Sequence, residues 1–559
     1  MWKKIFPPLE WLKSYNTSFL KSDAIAGITL AAYGIPVSLA YATLAGLPPE
    51  YGIYGYLIGG LFYALLGTGK QLAIGPTSAI SLLVGTTIAG MTNGDVQRWA
   101  DIASLTAFVF AFMAILAYFL RLSSIISFIS ESVLVGFKAG AALTIGLTQL
   151  PKLIGVIGGG DSFFERLTLL FQQVPDAHLN VFIFGISAIL ILIVGEKLMP
   201  GRPVAIVVVV ISIILISATS LGLQGFNVVG TIPTGLPSFH MPKLSVKGVD
   251  GVFPLAFACF LLSYIESISA ARTLAQKNGY KVDVRQELLA LGIANAGVAF
   301  GQGYPVAGGL SQSAVNDTAG AKTPLSLVFA SITIAFCLLF LTGMLQNLPT
   351  VILAAIVLVA VSSLIDLKEM KHLFKVDKNE FAVAMIALLG VLFFGILKGV
   401  LLAALVTLLI ILRATSKPNV AFLGRIPNTH RYSDSARHPE NEKIPGVLII
   451  RIESSILYFN TNYINEEIWT KLNLEGENIK LLIFDLNSSP YIDIAGVRFF
   501  KNIFLDLKAI GISLKIAEAH SEVRDKLRSE KMEKLLGSIT RFVSVDDLVQ
   551  QALNSSPEE

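Results

Sequence analysis

Two short stretches organise this chain, GPTSAIS at residues 75–81 and GGLSQSAVN at residues 308–316. Each is a Gly- or Pro-marked break followed by small and hydroxyl residues inside apolar sequence. Each stretch predicts the start of a half-length membrane helix, where unpaired backbone N–H groups and the helix dipole favour an anion. Interrupted segments at corresponding places in two halves of a chain indicate the binding site of an inverted-repeat transporter.

The composition predicts a polytopic α-helical membrane protein. The chain has 559 residues, of which 53% are hydrophobic and 15% are charged, whereas about 25% of residues are charged in a soluble domain. Runs of about 20 apolar residues recur. They predict 14 spans near residues 23–44, 51–67, 76–91, 101–121, 125–148, 180–198, 203–221, 252–274, 284–300, 311–319, 324–346, 350–365, 381–397 and 399–414. The short members are the third and the tenth, which predicts a 7+7 inverted repeat.

Charge and composition predict the orientation and the domains. Loops on the side of the termini are rich in basic residues, including Lys368, Lys371, Lys375 and Lys378, so both termini are predicted to be cytoplasmic in a multi-pass cell (inner) membrane protein. The predicted domains are an N-terminal cytoplasmic segment (1–21), a transmembrane transport domain (22–415), a linker (416–443) and an α/β domain (444–559).

Glu266 is the most informative single residue, because it lies alone in an apolar run from Val252 to Ala271. A carboxylate at membrane depth is costly, and its default interpretation is functional. It predicts coupling to a proton or to a cation such as Na⁺. The alternative is a structural carboxylate bound to backbone amides or to Arg272.

The two breaks supply neutral hydrogen-bond donors at Thr77, Ser78, Ser311 and Gln312. Such donors bind an anion without adding a full charge, although small residues also serve close helix packing. The matching positions of the two stretches favour a substrate site. Tyr41 follows the helix-kinking Pro36 and either offers its hydroxyl to the same cavity or packs as an ordinary aromatic residue.

Enzymatic chemistry has no support in the sequence. There is no Walker A pattern, no GxSxG and no His/Cys ligand cluster, so no cofactor other than a coupling ion and no metal site is predicted. Cys259 and Cys337 both fall in apolar runs, which predicts packing roles and no disulfide framework. The net charge of +4 does not indicate a nucleic-acid partner.

The residues also resemble a known family, the sulfate permease (SulP) family, also called solute-carrier family 26. The resemblance rests on DAIAG at 23–27, GLPPEYGIY at 46–54, GFKAG at 136–140, Glu266-Ser267, and GGLSQSAVN followed by AGAKTP at 319–324. The C-terminal part resembles the STAS domain, with Asp493 and Gly496 in its Asp-x-x-Gly turn. Together these motifs cover nearly the whole chain.

The resemblance implies core and gate domains, anion transport, a homodimer in the lipid bilayer and a cytoplasmic partner for the STAS domain. It implies that the anion binds at Thr77, Ser78, Ser311 and Gln312, and that Glu266 couples transport. Many members carry Arg where this chain has Gln312, and sulfate transporters often carry Gln at the position of Val37. Both departures favour a monovalent anion or a co-bound cation. Ile494 and Ala495 replace the phosphorylatable residue of the STAS turn.

The leading hypothesis is a secondary transporter of sulfate, bicarbonate, chloride or a carboxylate, working by elevator-like alternating access. One alternative is a nucleobase transporter of the same fold. A second alternative is a signalling protein that the membrane part anchors and whose STAS-like domain binds partners.

Overall fold

The computed structural model describes residues 15–92, 95–122, 131–160, 162–199, 203–218, 226–242, 251–362, 364–475, 478–537 and 539–554. Residues 1–14 of the predicted N-terminal segment lie outside this range, as do parts of the predicted spans at 125–148 and 203–221. The chain divides into two compact units, Met1–Thr407 and Leu408–Glu559.

The membrane unit consists of helices joined by short connections and two very short strands. In chain order its first half contains α1 (Thr17–Leu44), α2 (Glu50–Leu66), β1 (Ile74–Gly75), α3 (Ser78–Thr92), α4 (Val96–Phe119), α5 (Glu131–Ile154), α6 (Phe163–Gln173), α7 (Leu179–Leu198) and α8 (Val204–Ala218). Its second half contains α9 (Val252–Lys277), α10 (Val284–Phe300), β2 (Ala307–Gly308), α11 (Leu310–Thr318), α12 (Leu325–Phe340), α13 (Thr342–Leu345), α14 (Thr350–Ser362), α15 (Leu367–Val376), α16 (Lys378–Phe394) and α17 (Ile396–Ser416).

A helix lies at each of the 14 predicted positions. Among the described residues, six helical stretches are long and apolar enough to cross a membrane, and three shorter apolar helices accompany them. The number of membrane crossings therefore stays a prediction. Residues 17–21 of the predicted N-terminal cytoplasmic segment form the start of α1, where the Asn16 side chain accepts from the Ser18 N–H at 3.0 Å. The amphipathic helices α6 and α15 were not predicted, because their polar faces resemble loops.

The two predicted breaks meet in the fold. β1 and β2 pair antiparallel, with Ile74 opposite Gly308 and Gly75 opposite Ala307. Helix α3 follows β1 directly, and α11 follows β2. Because the strands are antiparallel and adjacent, the two half-length helices begin close together and run away from each other. This is the arrangement that two inverted copies of one motif would produce.

Helix packing separates two groups within the membrane unit. In one group α10 packs on α2 and α4, and α12 packs on α1 and α2; in the other, α5 packs on α14 and α16. Glycine permits the closest approaches, since a Cβ at Gly27 would collide with Ser326 on α12 and one at Gly136 would collide with the backbone of Ala384 on α16. Small residues allow such close helix contact in membranes.

The C-terminal unit is a five-stranded sheet covered by helices on both faces. Its strands are β3 (Val420–Arg425), β4 (Tyr432–Asp434), β5 (Val447–Ile452), β6 (Leu481–Asp485) and β7 (Ser513–Ala517), and its helices are α18 (Thr461–Glu475), α19 (Ile494–Ala509), α20 (Ser521–Ser529), α21 (Glu533–Leu536) and α22 (Val545–Asn554). The strand order is β4-β3-β5-β6-β7, with β5, β6 and β7 parallel. Successive β5 side chains alternate between two hydrophobic cores, Leu448 and Ile450 in one and Val447 and Ile449 in the other.

The predicted linker is wrong over much of its length. Residues 416–443 contain β3 and β4, and β3 pairs antiparallel with β5, with Val420 opposite Ile452 and Leu423 opposite Ile449. The segment is polar and contains three prolines, but Ala421 and Leu423 are buried in the sheet's core. β3 lies between β4 and β5 in the sheet, but it is only six residues long and prolines lie close to both of its ends, so its strand signal is weak beside that of the turns around it.

Candidate functional site

The site is built on the two helix starts that β1 and β2 hold side by side. In α3 the first helical bond runs from the Ser81 N–H to the Thr77 carbonyl at 2.9 Å. In α11 the Ser313 N–H donates to the Gly309 carbonyl at 3.0 Å. The N–H groups of the first turn of any helix lack partners within the helix, so these two starts direct partial positive charge towards the same region.

A cavity of about 250 Å³ lies at these helix starts. All six residues that the sequence predicts for the site line this cavity: Tyr41, Thr77, Ser78, Glu266, Ser311 and Gln312. Val37, the second departure from the family pattern, contributes an apolar part of the wall. The structure thus brings together side chains that lie up to 271 residues apart in the chain, from Tyr41 to Gln312.

Most of the neutral donors have buried side chains. Thr77 and Ser78 are each 7% exposed, Tyr41 is 7% exposed and Gln312 is 4% exposed, whereas Ser311 is open to the cavity. The Gln312 Oε1 atom is buried and has no hydrogen-bond partner among the described residues, and its Nε2 atom lies 3.5 Å from the Ala307 carbonyl. An unpaired buried amide group is costly, which indicates that this end of the cavity accommodates a polar ligand.

Glu266 is nearly free of protein partners. Its one described hydrogen bond comes from the Thr77 hydroxyl, at 3.3 Å to Oε2. No backbone amide donates to it and no ion pair joins it to Arg272 among the described residues, so the structural alternative raised by the sequence is not observed. Glu266 is half-buried and faces the cavity.

The helix that carries Glu266 is fixed to β2 by its neighbours. The Ser267 hydroxyl accepts a bond from the Gly308 N–H at 2.8 Å, and the Ser263 hydroxyl donates to the Val306 carbonyl at 3.0 Å. These serines are four residues apart and share one face of α9. On the other side of the paired strands, the Ser313 hydroxyl accepts from the Ala73 N–H at 2.9 Å. Buried hydroxyls therefore position both the acid and the helix starts.

Four polar residues of the cavity were not predicted: Lys138 on α5, Tyr33 on α1, Ser269 on α9 and Asp366 before α15. Lys138 could have been identified from the sequence as a lone cation in an apolar run, by the same reasoning that identifies Glu266. Asp366 is exposed and caps α15 by accepting from the Glu369 N–H at 2.9 Å. Its position depends on the α14–α15 connection, for which the sequence carries no signal.

A second cavity of about 290 Å³ adjoins the first and shares Tyr33, Ser311 and Ala360 with it. Glu196 on α7 also lines this second cavity. Ser311 therefore borders both cavities.

Comparison with family models covers both units. The model of the sulfate permease family matches residues 20–387, and the model of the STAS domain matches residues 438–548.

Similar proteins are found in plants and bacteria. A chloroplastic sulfate transporter of Arabidopsis thaliana, sulfate transporter 4.1, is 33% identical over 98% of this chain and 82% of its own length. A probable sulfate transporter of Mycobacterium tuberculosis is 29% identical over 97% of both chains.

Solved structures share the fold at lower identity. Murine Slc26a9, an anion transporter seen in the inward-facing state, superposes with a TM-score of 0.90 over 99% of this chain and 94% of its own, at 22% identity. The transmembrane domain of a cyanobacterial bicarbonate transporter, BicA, superposes with a TM-score of 0.61 over 71% of this chain and 98% of its own, at 21% identity. The family model over residues 20–387 and the 33% identity to a plant relative show that the chain belongs to the sulfate permease family.

Proposed function

We propose that this protein is a secondary active transporter that moves a small anion across the cell (inner) membrane, with both termini in the cytoplasm. The observation that carries the proposal is the cavity in which Thr77, Ser78, Ser311 and Gln312 surround the starts of α3 and α11. Sulfate is the first substrate to test, because the plant and mycobacterial relatives are named as sulfate transporters. Bicarbonate, chloride and a carboxylate such as fumarate are the other members of the panel.

Alternating access follows from the two helix groups. Helices α3, α9 and α11 belong to the group of α1, since α11 packs on α1 and α9 packs on α3, α4 and α11. The cavity is lined by α1, α3, α9 and α11 from this group and by α5 and α14 from the other. A displacement of the first group relative to the second would carry the helix starts with it and expose the anion on the opposite side. We propose this elevator-like movement within each subunit of a homodimer.

Glu266 is the proposed coupling residue. Its side chain shares the cavity with the anion and has a single long hydrogen bond, so it remains available for a proton or for Na⁺. A negative charge at membrane depth opposes the entry of an anion, and binding of the cation removes that opposition.

The test is uptake by proteoliposomes containing the purified full chain. Labelled sulfate, bicarbonate, chloride and fumarate are supplied with and without an inward proton gradient, and in parallel with a Na⁺ gradient. We expect saturable uptake of sulfate that one of the gradients stimulates and that uracil and xanthine do not inhibit. The absence of saturable flux for all four anions would overturn the proposal.

Two variants and a control resolve the assignment of roles. Ser311→Ala should raise the KM for the anion several-fold, since it removes a donor open to the cavity. Ser212→Ala is the matched control, because the Ser212 hydroxyl is buried in α8 and donates only to Val209 of its own helix, at 2.7 Å. Glu266→Gln should keep downhill anion exchange and lose gradient stimulation; full gradient-driven uptake by this variant would refute the coupling role.

A further inference from the structure

Lys138 is the only cationic side chain among the described residues that line the site cavity. It lies in the second turn of α5 and is half-buried beside the buried Phe137 and Ala139. A lysine in such a place is costly unless its charge is used, and Lys138 is therefore a candidate for a functional role.

The Lys138 ammonium group is not committed to another side chain. It lines the same cavity as Glu266, but no carboxylate of the described residues lies within the 4.0 Å that defines a salt bridge to it. A cation and an acid that share a cavity without pairing can both act on a third charged species bound there.

The charges that line the cavity favour an anion only when the charge of Glu266 is neutralised. The described lining carries one base, Lys138, and two acids, Glu266 and the exposed Asp366 at the start of α15. Tyr33 and Tyr41 are the remaining titratable side chains of the lining. When Glu266 holds a proton or a bound cation, Lys138 leaves the inner part of the cavity with a net positive charge. The neutral donors at the helix starts then act together with a full charge.

We propose that Lys138 is a specificity-determining residue that holds the second negative charge of a divalent oxyanion. It supplies from α5 the positive charge that many family members carry at the position of Gln312. This inference rests on the proposed anion transport. It also reverses the expectation, drawn from Gln312 and Val37, that the site prefers a monovalent anion.

The position of Lys138 also affects the proposed movement of the two helix groups. The helix starts and Glu266 belong to one helix group, while Lys138 belongs to the other. A divalent anion held by both sides bridges the two groups and draws them together across the cavity.

The test compares two tetrahedral anions of similar size and different charge, sulfate and perchlorate, whose binding to the purified full chain is measured by calorimetry in detergent. Coulomb energy is proportional to the charge of the ligand, so the logarithm of the loss in affinity should be twice as large for sulfate. We expect Lys138→Met to weaken sulfate binding about tenfold and perchlorate binding about threefold. Lys138→Arg should retain the preference for sulfate.

Rescue and control variants make the test specific. Gln312→Arg in the Lys138→Met background returns a positive charge to the cavity from another wall and should restore most of the sulfate affinity. Lys152→Met is the matched control on the same helix, since Lys152 lines two other cavities and not this one, and it should leave both affinities unchanged. Thermal unfolding identifies any variant that fails to fold, and Lys138→Gln then replaces Lys138→Met.

The outcomes separate the two proposals. If the parent protein binds neither anion and transports none, the proposed function fails. If the parent binds sulfate but Lys138→Met and Lys138→Gln weaken both anions equally, or neither, the role of Lys138 is overturned while anion transport stands.

Discussion

Two carboxylates on consecutive helices, Glu266 on α9 and Glu287 on α10, show how differently the same group is used in this membrane unit. Glu287 is completely buried and accepts bonds from the Tyr63 hydroxyl at 2.8 Å, the Thr68 N–H at 2.7 Å, the Thr68 hydroxyl at 2.6 Å and the Gly69 N–H at 3.2 Å. Glu266 has one bond, at 3.3 Å. An acid whose acceptor capacity is filled by the protein has a structural role, whereas one that lacks partners is available to a ligand.

Asp23 on α1 belongs with Glu287. It is fully buried and accepts from the Lys322 N–H at 2.7 Å, the Thr323 N–H at 3.1 Å and the Thr323 hydroxyl at 2.6 Å. These bonds fasten α1 to the connection between α11 and α12. Burial of an acid in this fold is therefore not by itself a sign of function; the number of protein donors around it distinguishes the two roles.

The largest effect should follow from Glu287→Ala. The substitution leaves the hydroxyls of Tyr63 and Thr68 and the Thr68 N–H without their acceptor, while the Gly69 N–H keeps its bond to the Tyr63 hydroxyl at 3.2 Å. Each buried unpaired group costs about 1–3 kcal/mol. We expect a loss of about 3–5 kcal/mol in the free energy of unfolding, measured by denaturant titration of the purified protein. Glu287→Gln, which keeps an acceptor oxygen, should lose less. Stability equal to that of the parent would show that the bonds to Glu287 are not structural.

An intermediate loss of stability is expected for Ser267→Ala. This substitution removes a hydroxyl that fixes the helix carrying Glu266 and leaves the acid itself unchanged. The Gly308 N–H loses its buried acceptor, so the free energy of unfolding should fall by about 1–2 kcal/mol. Thr273→Ala is the control on the same helix, because the Thr273 hydroxyl is exposed and bonds only to Ser269 at 2.8 Å. Equal unfolding transitions for the two variants would contradict a positioning role for Ser267.

The smallest effect on stability should come from Glu266→Gln. Only one long hydrogen bond is altered, so the free energy of unfolding should change by less than about 1 kcal/mol. The same denaturant titration measures it alongside Glu287→Gln. If Glu266→Gln were as destabilising as Glu287→Ala, the contrast between the two acids would be lost, and Glu266 would be a structural residue.

The sequence alone predicted the features that depend on composition and on breaks marked by Gly and Pro. Helix positions follow from apolar runs, and the two breaks follow from Gly and Pro followed by hydroxyl residues at 75–81 and 308–316. The convergence of Thr77, Ser78, Ser311 and Gln312 on one cavity was predicted because equivalent positions of an inverted repeat must face each other. Glu266 was recognisable because membrane-embedded acids are rare.

Other features depend on contacts that no local pattern records. The strands of residues 420–434 were taken for a linker, since two strands of six and three residues with Pro and Asn nearby resemble a loop. Lys138 was read only as part of a family motif, and its approach to Glu266 depends on how α5 packs across the cavity. The saturation of Glu287 requires Thr68 and Gly69, 219 and 218 residues away, which sequence spacing does not reveal.

The pairing of β1 with β2 has a consequence for how such proteins diversify. The two strands are joined through main-chain atoms at Ile74, Gly75, Ala307 and Gly308, and main-chain bonds do not depend on side-chain identity. The paired strands should therefore keep their register when cavity residues such as Ser311 and Gln312 are exchanged, provided that the supporting hydroxyls of Ser263, Ser267 and Ser313 remain. Evolution can retune the preferred solute by point substitutions around an unchanged backbone frame, and directed evolution can use the same freedom.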